Sequence, residues 1–168
     1  MNDQYVSKYV GLGWRTASPE EILIRRIARD LKIPTNEALS KAAPEMAALI
    51  DGPCWLVPVP ASEGNVLANR ALANAIAALV PGARVICALA RAQPVMASTE
   101  RRARGLPGPT IEEHCIVRIA GPIRLLPVYF IDNVVTTGTT LAACRCALGW
   151  GSGLTYADAS GRGILKAA

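Results

Sequence analysis

The sequence is poor in aromatic residues: one phenylalanine, three tryptophans and four tyrosines, 5% of its 168 residues. Proteins that track single-stranded nucleic acid need aromatic faces on which bases stack. The net charge of +5 is therefore weak support for a nucleic-acid partner, and a nucleic-acid groove is not the expectation. Histidine occurs once, at His114, and the five cysteines do not form two pairs at zinc spacing. Cys144 and Cys146 make a C-x-C on a predicted helix, with no second pair or nearby histidine to complete a metal set. Cys54, Cys87 and Cys115 lie in apolar runs, as buried thiols do. No apolar run approaches the roughly 20 residues that cross a bilayer. Met1 to Tyr5 lack a basic-then-apolar signal pattern. The expectation is a soluble, cytoplasmic protein without a membrane partner.

What is present is apolar mass, 51% of the residues, enough for one core. The reading is a single domain over 1–168, with an N-terminal helical elaboration over 1–52 and a core over 53–168. Tyr5 to Trp14 alternates only partly and reads as a weak strand or extended arm. Ser18-Pro19-Glu20-Glu21 is a helix start, with a serine cap, a proline in the first turn and a glutamate at the third position. That helix runs to about Leu31. A second starts at Thr35 and is interrupted or restarted at Pro44. Cys54 to Pro60 reads as a central strand fraying at its two prolines, and a helix follows from Asn65 to Val80. Arg84 to Leu89 and His114 to Ile119 are further strands. A Gly- and Pro-rich span lies between them. After it come a turn at Gly121-Pro122, a last strand from Leu154 to Asp158, and a short tail carrying Gly161 and Gly163. A lone histidine at a strand edge, as His114 is here, reads as structural.

The arginines fall into two clusters. Arg25, Arg26 and Arg29 sit on the first predicted helix, where a solvated face is the default. Arg101, Arg102 and Arg104 sit in the long span, either on a short helix over Ser98–Arg104 or as anion contacts. Arg70 reads as a surface residue or an anion contact.

The chain is organised around Val128 to Thr140. An apolar run, Val128 to Ile131, has the composition of a buried strand. Asp132 and Asn133 stand where that run ends. Thr136-Thr137-Gly138-Thr139-Thr140 then opens an Ala- and Leu-rich helix. In an open α/β sheet such a layout places a ligand at the carboxyl end of the strand. Backbone N–H groups at a helix N-terminus favour an anion, and a carboxylate such as Asp132 accepts from a pair of hydroxyls. Phosphate and diol together describe a sugar phosphate.

This motif resembles the 5-phosphoribosyl-1-pyrophosphate (PRPP) site of type I phosphoribosyltransferases. With Val57-Pro58-Val59-Pro60 and the Leu89–Arg104 stretch, it is similar to their competence-protein-F-like branch over about two thirds of the chain. The resemblance implies an α/β fold whose central, mostly parallel sheet is flanked by helices. It implies transfer of a phosphoribosyl group between pyrophosphate and a nitrogenous base, or non-catalytic sensing of a nucleotide through a partner. By the same resemblance, Thr136, Thr137, Gly138, Thr139 and Thr140 hold the 5-phosphate, and Asp132 and Asn133 hold the ribose hydroxyls. Ala61 and Ser62 with Arg91, Arg101 and Arg102 meet pyrophosphate. Magnesium is the implied cofactor, reached indirectly through Asp132, and a homodimer is the implied assembly. Asn133 departs from the family, which carries a second acid there. An amide brings no negative charge and is the weaker magnesium partner.

Overall fold

A computed structural model describes residues 3–8, 18–121 and 125–159. Strands β1 (Gln4–Lys8), β2 (Trp55–Pro58), β3 (Arg84–Val85), β6 (Val128–Val135) and β7 (Ser152–Asp158) form a five-stranded sheet in the order β1-β7-β6-β2-β3. Every neighbouring pair in it is parallel. Strands β4 (Leu89–Arg91) and β5 (Ile116–Arg118) pair antiparallel as a separate ribbon. The helices are α1 (Pro19–Asp30), α2 (Asn36–Ala47), α3 (Leu67–Ala77), α4 (Ser98–Ala103) and α5 (Thr139–Leu148). The chain is thus an α/β protein with a central parallel sheet flanked by helices.

Two apolar clusters sit on the two faces of the sheet. On one face Leu56, Tyr129, Ile131, Leu154 and Tyr156 pack with Ile27 of α1, Met46 of α2 and Leu72 and Ile76 of α3. On the other, Val57, Val128 and Phe130 pack with Leu141, Cys144 and Leu148 of α5 and with Leu89 of β4. Val128, Tyr129, Phe130 and Ile131 are all buried, because a central parallel strand is covered on both sides. Over Val128–Ile131 alternation sends odd-numbered side chains toward α1–α3 and even-numbered ones toward α5.

The capping box before α1 forms as the sequence predicts. Ser18 Oγ accepts from the Glu21 N–H at 3.2 Å, and the Glu21 carboxylate accepts from the Ser18 N–H at 2.8 Å. Thr35 caps α2 by accepting from the Ala38 N–H at 3.1 Å. Contrary to expectation, α2 passes through Pro44 without interruption. A proline in a helix interior costs about 3 kcal/mol; here Ala42, Ala43 and Met46 are buried around it and hold the last turn against the core. The predicted strand Arg84–Leu89 divides. Its first residues pair with β2, the chain bends at Ala88, and Leu89 joins the ribbon. β6 also runs further than its apolar stretch. β2 ends opposite Ile131, whereas β7 keeps pairing with β6 as far as Val135. The predicted arm beyond Lys8, the turn at Pro122 and the tail with Gly161 and Gly163 lie outside the described residues.

Gly151, leading into β7, has φ 128°, and a Cβ there would sit 2.7 Å from Phe130 Cζ. Gly151→Ala combines a left-handed backbone penalty with overpacking. It is expected to cost about 2 kcal/mol or more in urea unfolding. An unchanged midpoint would show that the Phe130 ring yields without penalty.

Candidate functional site

The sheet presents its carboxyl edge where β6 outlasts β2. Asp132 lies inside β6, one residue past the end of β2. Its Oδ1 accepts from Asn69 Nδ2 at 3.1 Å and from the Asn133 N–H at 2.9 Å. Asn69, near the start of α3, also donates to the Val59 carbonyl at 2.8 Å, so one amide ties the frayed end of β2 to the carboxylate. Burial pushes the Asp132 carboxyl up to about 6, against the pull of these hydrogen bonds and of Arg91. Both of these bonds fall on Oδ1, and among the described residues Oδ2 is left for a ligand.

After Val135 the chain turns through Thr136, Thr137 and Gly138 into α5. Gly138 has φ 82° and ψ −1°, a left-handed conformation that glycine adopts without penalty. Gly138, as N-cap, has no side chain to cap α5; among the described residues the Thr139 N–H meets Thr137 Oγ1 at 3.4 Å, and the next N–H groups of the first turn remain available to an anion. Thr136, Gly138 and Thr140 share a narrow cleft of about 20 Å³ with Asp132. This joins loop and carboxylate on one surface. A wider hollow of about 440 Å³ lies at the opposite, amino end of β2, lined by Ile50, Asp51, Pro53, Leu79 and Pro81 among others. Among the described residues that line it Asp51 is the only charged one, so it offers no chemistry comparable to the carboxyl edge.

Asn133 is not brought beside Asp132. Alternation turns it to the other face, where its Nδ2 donates to the Ala28 carbonyl of α1 at 3.0 Å. Its Oδ1 accepts from the Val134 N–H at 2.9 Å. The amide therefore fastens β6 to α1.

The residues expected at pyrophosphate are largely bound within the protein. Ala61 and Ser62 belong to a tight turn closed by the Gly64 N–H to the Ala61 carbonyl at 2.9 Å and the Ala61 N–H to the Asn65 carbonyl at 2.8 Å. Ser62 Oγ donates to the Glu63 carboxylate at 3.1 Å, and Asn65 Nδ2 donates to the same group at 2.8 Å. Hydrogen bonds, led by the one from its own backbone N–H, hold the Glu63 carboxyl below the usual range. The turn therefore carries a negative charge. Arg91 donates through Nε to the Ala61 carbonyl at 2.6 Å and through Nη1 to the His114 carbonyl at 2.5 Å. Arg101 donates to the Pro107 carbonyl at 2.7 Å and pairs with Glu113 at 3.2 Å. These contacts build the 104–113 segment that follows α4. Arg102 is exposed on α4.

Two residues at the site were not among those expected there: Asn69, and His114, which the sequence reads as a structural residue at a strand edge. Asn69 carries no local signal. His114 lies at the end of a one-turn 3-10 helix, Glu112–His114, instead of on a strand, and is 3% exposed. A signal for that turn was present: Thr110-x-x-Glu113 closes a reciprocal cap, with the Thr110 N–H donating to Glu113 at 2.8 Å and the Glu113 N–H to Thr110 Oγ1 at 3.3 Å. His114 then stands between Arg91 and Thr139 of α5. Burial, with Arg91 adding to it, pushes its imidazole down to about 4, so it is neutral at pH 7.

Among the described residues no group of three or more His, Cys, Asp or Glu side chains could hold a metal ion. The donor set does not fit a magnesium held by protein groups, since Asp132 contributes one carboxylate and Asn133 faces α1. No family model matches the chain, and no curated protein or solved structure matches it either.

Proposed function

We propose that the chain is a type I phosphoribosyltransferase-like protein that binds PRPP or a 5-phosphoribosyl nucleotide at the carboxyl end of β6. The observation that carries this reading is one cleft shared by the Asp132 carboxylate and the uncapped start of α5 behind Gly138. Thr136–Thr140 take the 5-phosphate through backbone N–H groups and hydroxyls. Asp132 accepts from the ribose hydroxyls. In the transfer reaction a base nitrogen forms a bond to ribose C1 as the C1–O bond breaks, and pyrophosphate leaves with the electron pair. The protein contributes by holding ring and nucleophile in line.

A second reading is binding without turnover. Arg91 and Arg101 are bonded internally, and Glu63 sets a negative charge in the turn expected to meet pyrophosphate. These features favour a nucleotide sensor that acts through a partner.

Calorimetric titration of PRPP, with and without magnesium, tests the first reading. Saturable binding is expected, weakened about tenfold in Thr137→Ala by the loss of one hydrogen bond. No binding by a folded wild-type chain would remove the sugar-phosphate site. Pyrophosphate release on adding purine or pyrimidine bases separates transferase from sensor.

A further inference from the structure

The sugar-phosphate reading gives His114 no task, yet its ring joins the β4–β5 ribbon to the anion loop. Arg91 Nη1 lies 3.2 Å from Nδ1 and also donates to the His114 carbonyl. On the far side of the ring, Nε2 lies 3.2 Å from Thr139 Oγ1 and 3.4 Å from Thr140 Oγ1. A guanidinium has donors only, so the nitrogen facing it must accept. The neutral imidazole then carries its proton on Nε2 and donates it toward the threonine hydroxyls.

That direction propagates. Thr139 and Thr140 accept from His114 and keep their own protons for other partners. Thr139 Oγ1 is 2.8 Å from Thr137 Oγ1, and the Thr139 N–H approaches the same oxygen at 3.4 Å. Thr137 Oγ1 is thus the acceptor on its inner side, and its proton turns outward, where Thr137 is exposed. Thr140 lines the cleft with Asp132, and its proton is left for that cleft. In the other tautomer Nε2 would accept from a threonine hydroxyl, drawing that proton inward and turning its lone pairs toward the ligand, where they repel an anion.

We infer that His114, oriented by Arg91, is a positioning residue that sets the Thr137 and Thr140 hydroxyls as outward donors, Thr137 through the Thr139 hydroxyl, selecting a phosphate monoester at the loop. The inference rests on the sugar-phosphate reading and explains how the loop favours an anion without spending a cation on it. Arg91 acts through the histidine instead of meeting the ligand.

The test reads the ring and the ligand separately. Imidazole nitrogen NMR of the full chain at pH 7 is expected to show the Nε2–H tautomer, and Arg91→Leu to release it into a mixture. Ribose 5-phosphate, titrated calorimetrically, is expected to bind His114→Leu about tenfold more weakly than wild type. His114→Gln, whose amide offers both an acceptor and a donor, is expected to remain within about threefold. An Nδ1–H tautomer in the wild type, or full affinity in His114→Leu, overturns the relay while leaving the sugar-phosphate site intact. Absence of wild-type binding removes that site and the relay's role together, whatever the tautomer. Should His114→Leu fail to fold, the wild-type tautomer and the Gln variant decide.

Discussion

Asp132→Asn is expected to stabilise the folded chain at pH 8 while weakening ribose 5-phosphate binding by about 10- to 100-fold. The two effects have one cause. Burial raises the Asp132 carboxyl to about 6, above its value in an unfolded chain. Below about pH 4 both states are protonated and the residue contributes nothing. As pH rises from there to about 6, the unfolded chain releases the proton and the folded chain retains it, so stability falls. Above pH 6 the full penalty applies, on the order of 2–3 kcal/mol for a shift of this size. An asparagine still accepts from Asn69 and from the residue 133 N–H through its carbonyl oxygen, and it has no charge to desolvate. It also replaces the free carboxylate oxygen with a donor that cannot accept from ribose hydroxyls. Guanidinium unfolding at pH 8 and calorimetry on the same variant check both halves. A variant no more stable than wild type would show that its surroundings do not penalise the carboxylate, and undiminished binding would take Asp132 out of the ribose site.

His114 runs the opposite way in nearly the same window. Its imidazole is held down to about 4, so its contribution is complete above about pH 6.5 and is lost as pH falls toward 4. In the wild type the two slopes oppose each other between pH 4 and 6. Asp132→Asn removes one of them and is expected to expose a loss of stability on acidification that the wild type lacks.

Phe130→Ala is expected to cost about 3–5 kcal/mol, a large share of the roughly 5–15 kcal/mol that stabilises a domain. Phe130 is the only phenylalanine in the chain. It is fully buried on the α5 face among Val57, Val128, Leu141, Cys144 and Leu148. Its ring also meets the backbone of Gly151, where no Cβ intervenes. Truncation leaves a cavity that the surrounding strands cannot close, because β2 and β7 on either side of β6 hold their spacing through backbone hydrogen bonds. The same cluster supports α5, so anion affinity is expected to fall with stability. Urea denaturation measures the first effect. A loss under 1 kcal/mol would mean that the α5 face repacks and that the loop does not depend on it.

Much of the framework was legible because it is written in short-range signals. The capping box at Ser18, the cap at Thr35, the apolar run of β6, the glycine behind α5 and the helix that follows depend on residues within a few positions of one another. The mostly parallel sheet was expected from the resemblance carried by the Val128–Thr140 motif, and the strands covered by helices on both faces are consistent with it. Segment ends were read less well. β6 looked as though it ended at Ile131 because its apolar run does, yet strand length depends on where partners stop, and β7 pairs further than β2.

The sequence by itself determined that an acidic residue and a small-residue loop would stand between a buried strand and a helix, since these are contiguous in the chain. Tertiary structure alone decided which side chains share that edge. Asn133 follows Asp132 in sequence, yet strand alternation turns it to α1. Arg91 and Arg101 look like cations awaiting an anion, but the carbonyls of Ala61, His114 and Pro107 and the Glu113 carboxylate fold onto them. His114 shows no purpose until α5 and the β4–β5 ribbon close around its ring from both sides. Each outcome depends on partners that lie far along the chain and meet only once the sheet has formed. Local periodicity, caps and motif spacing carry no information about such pairings.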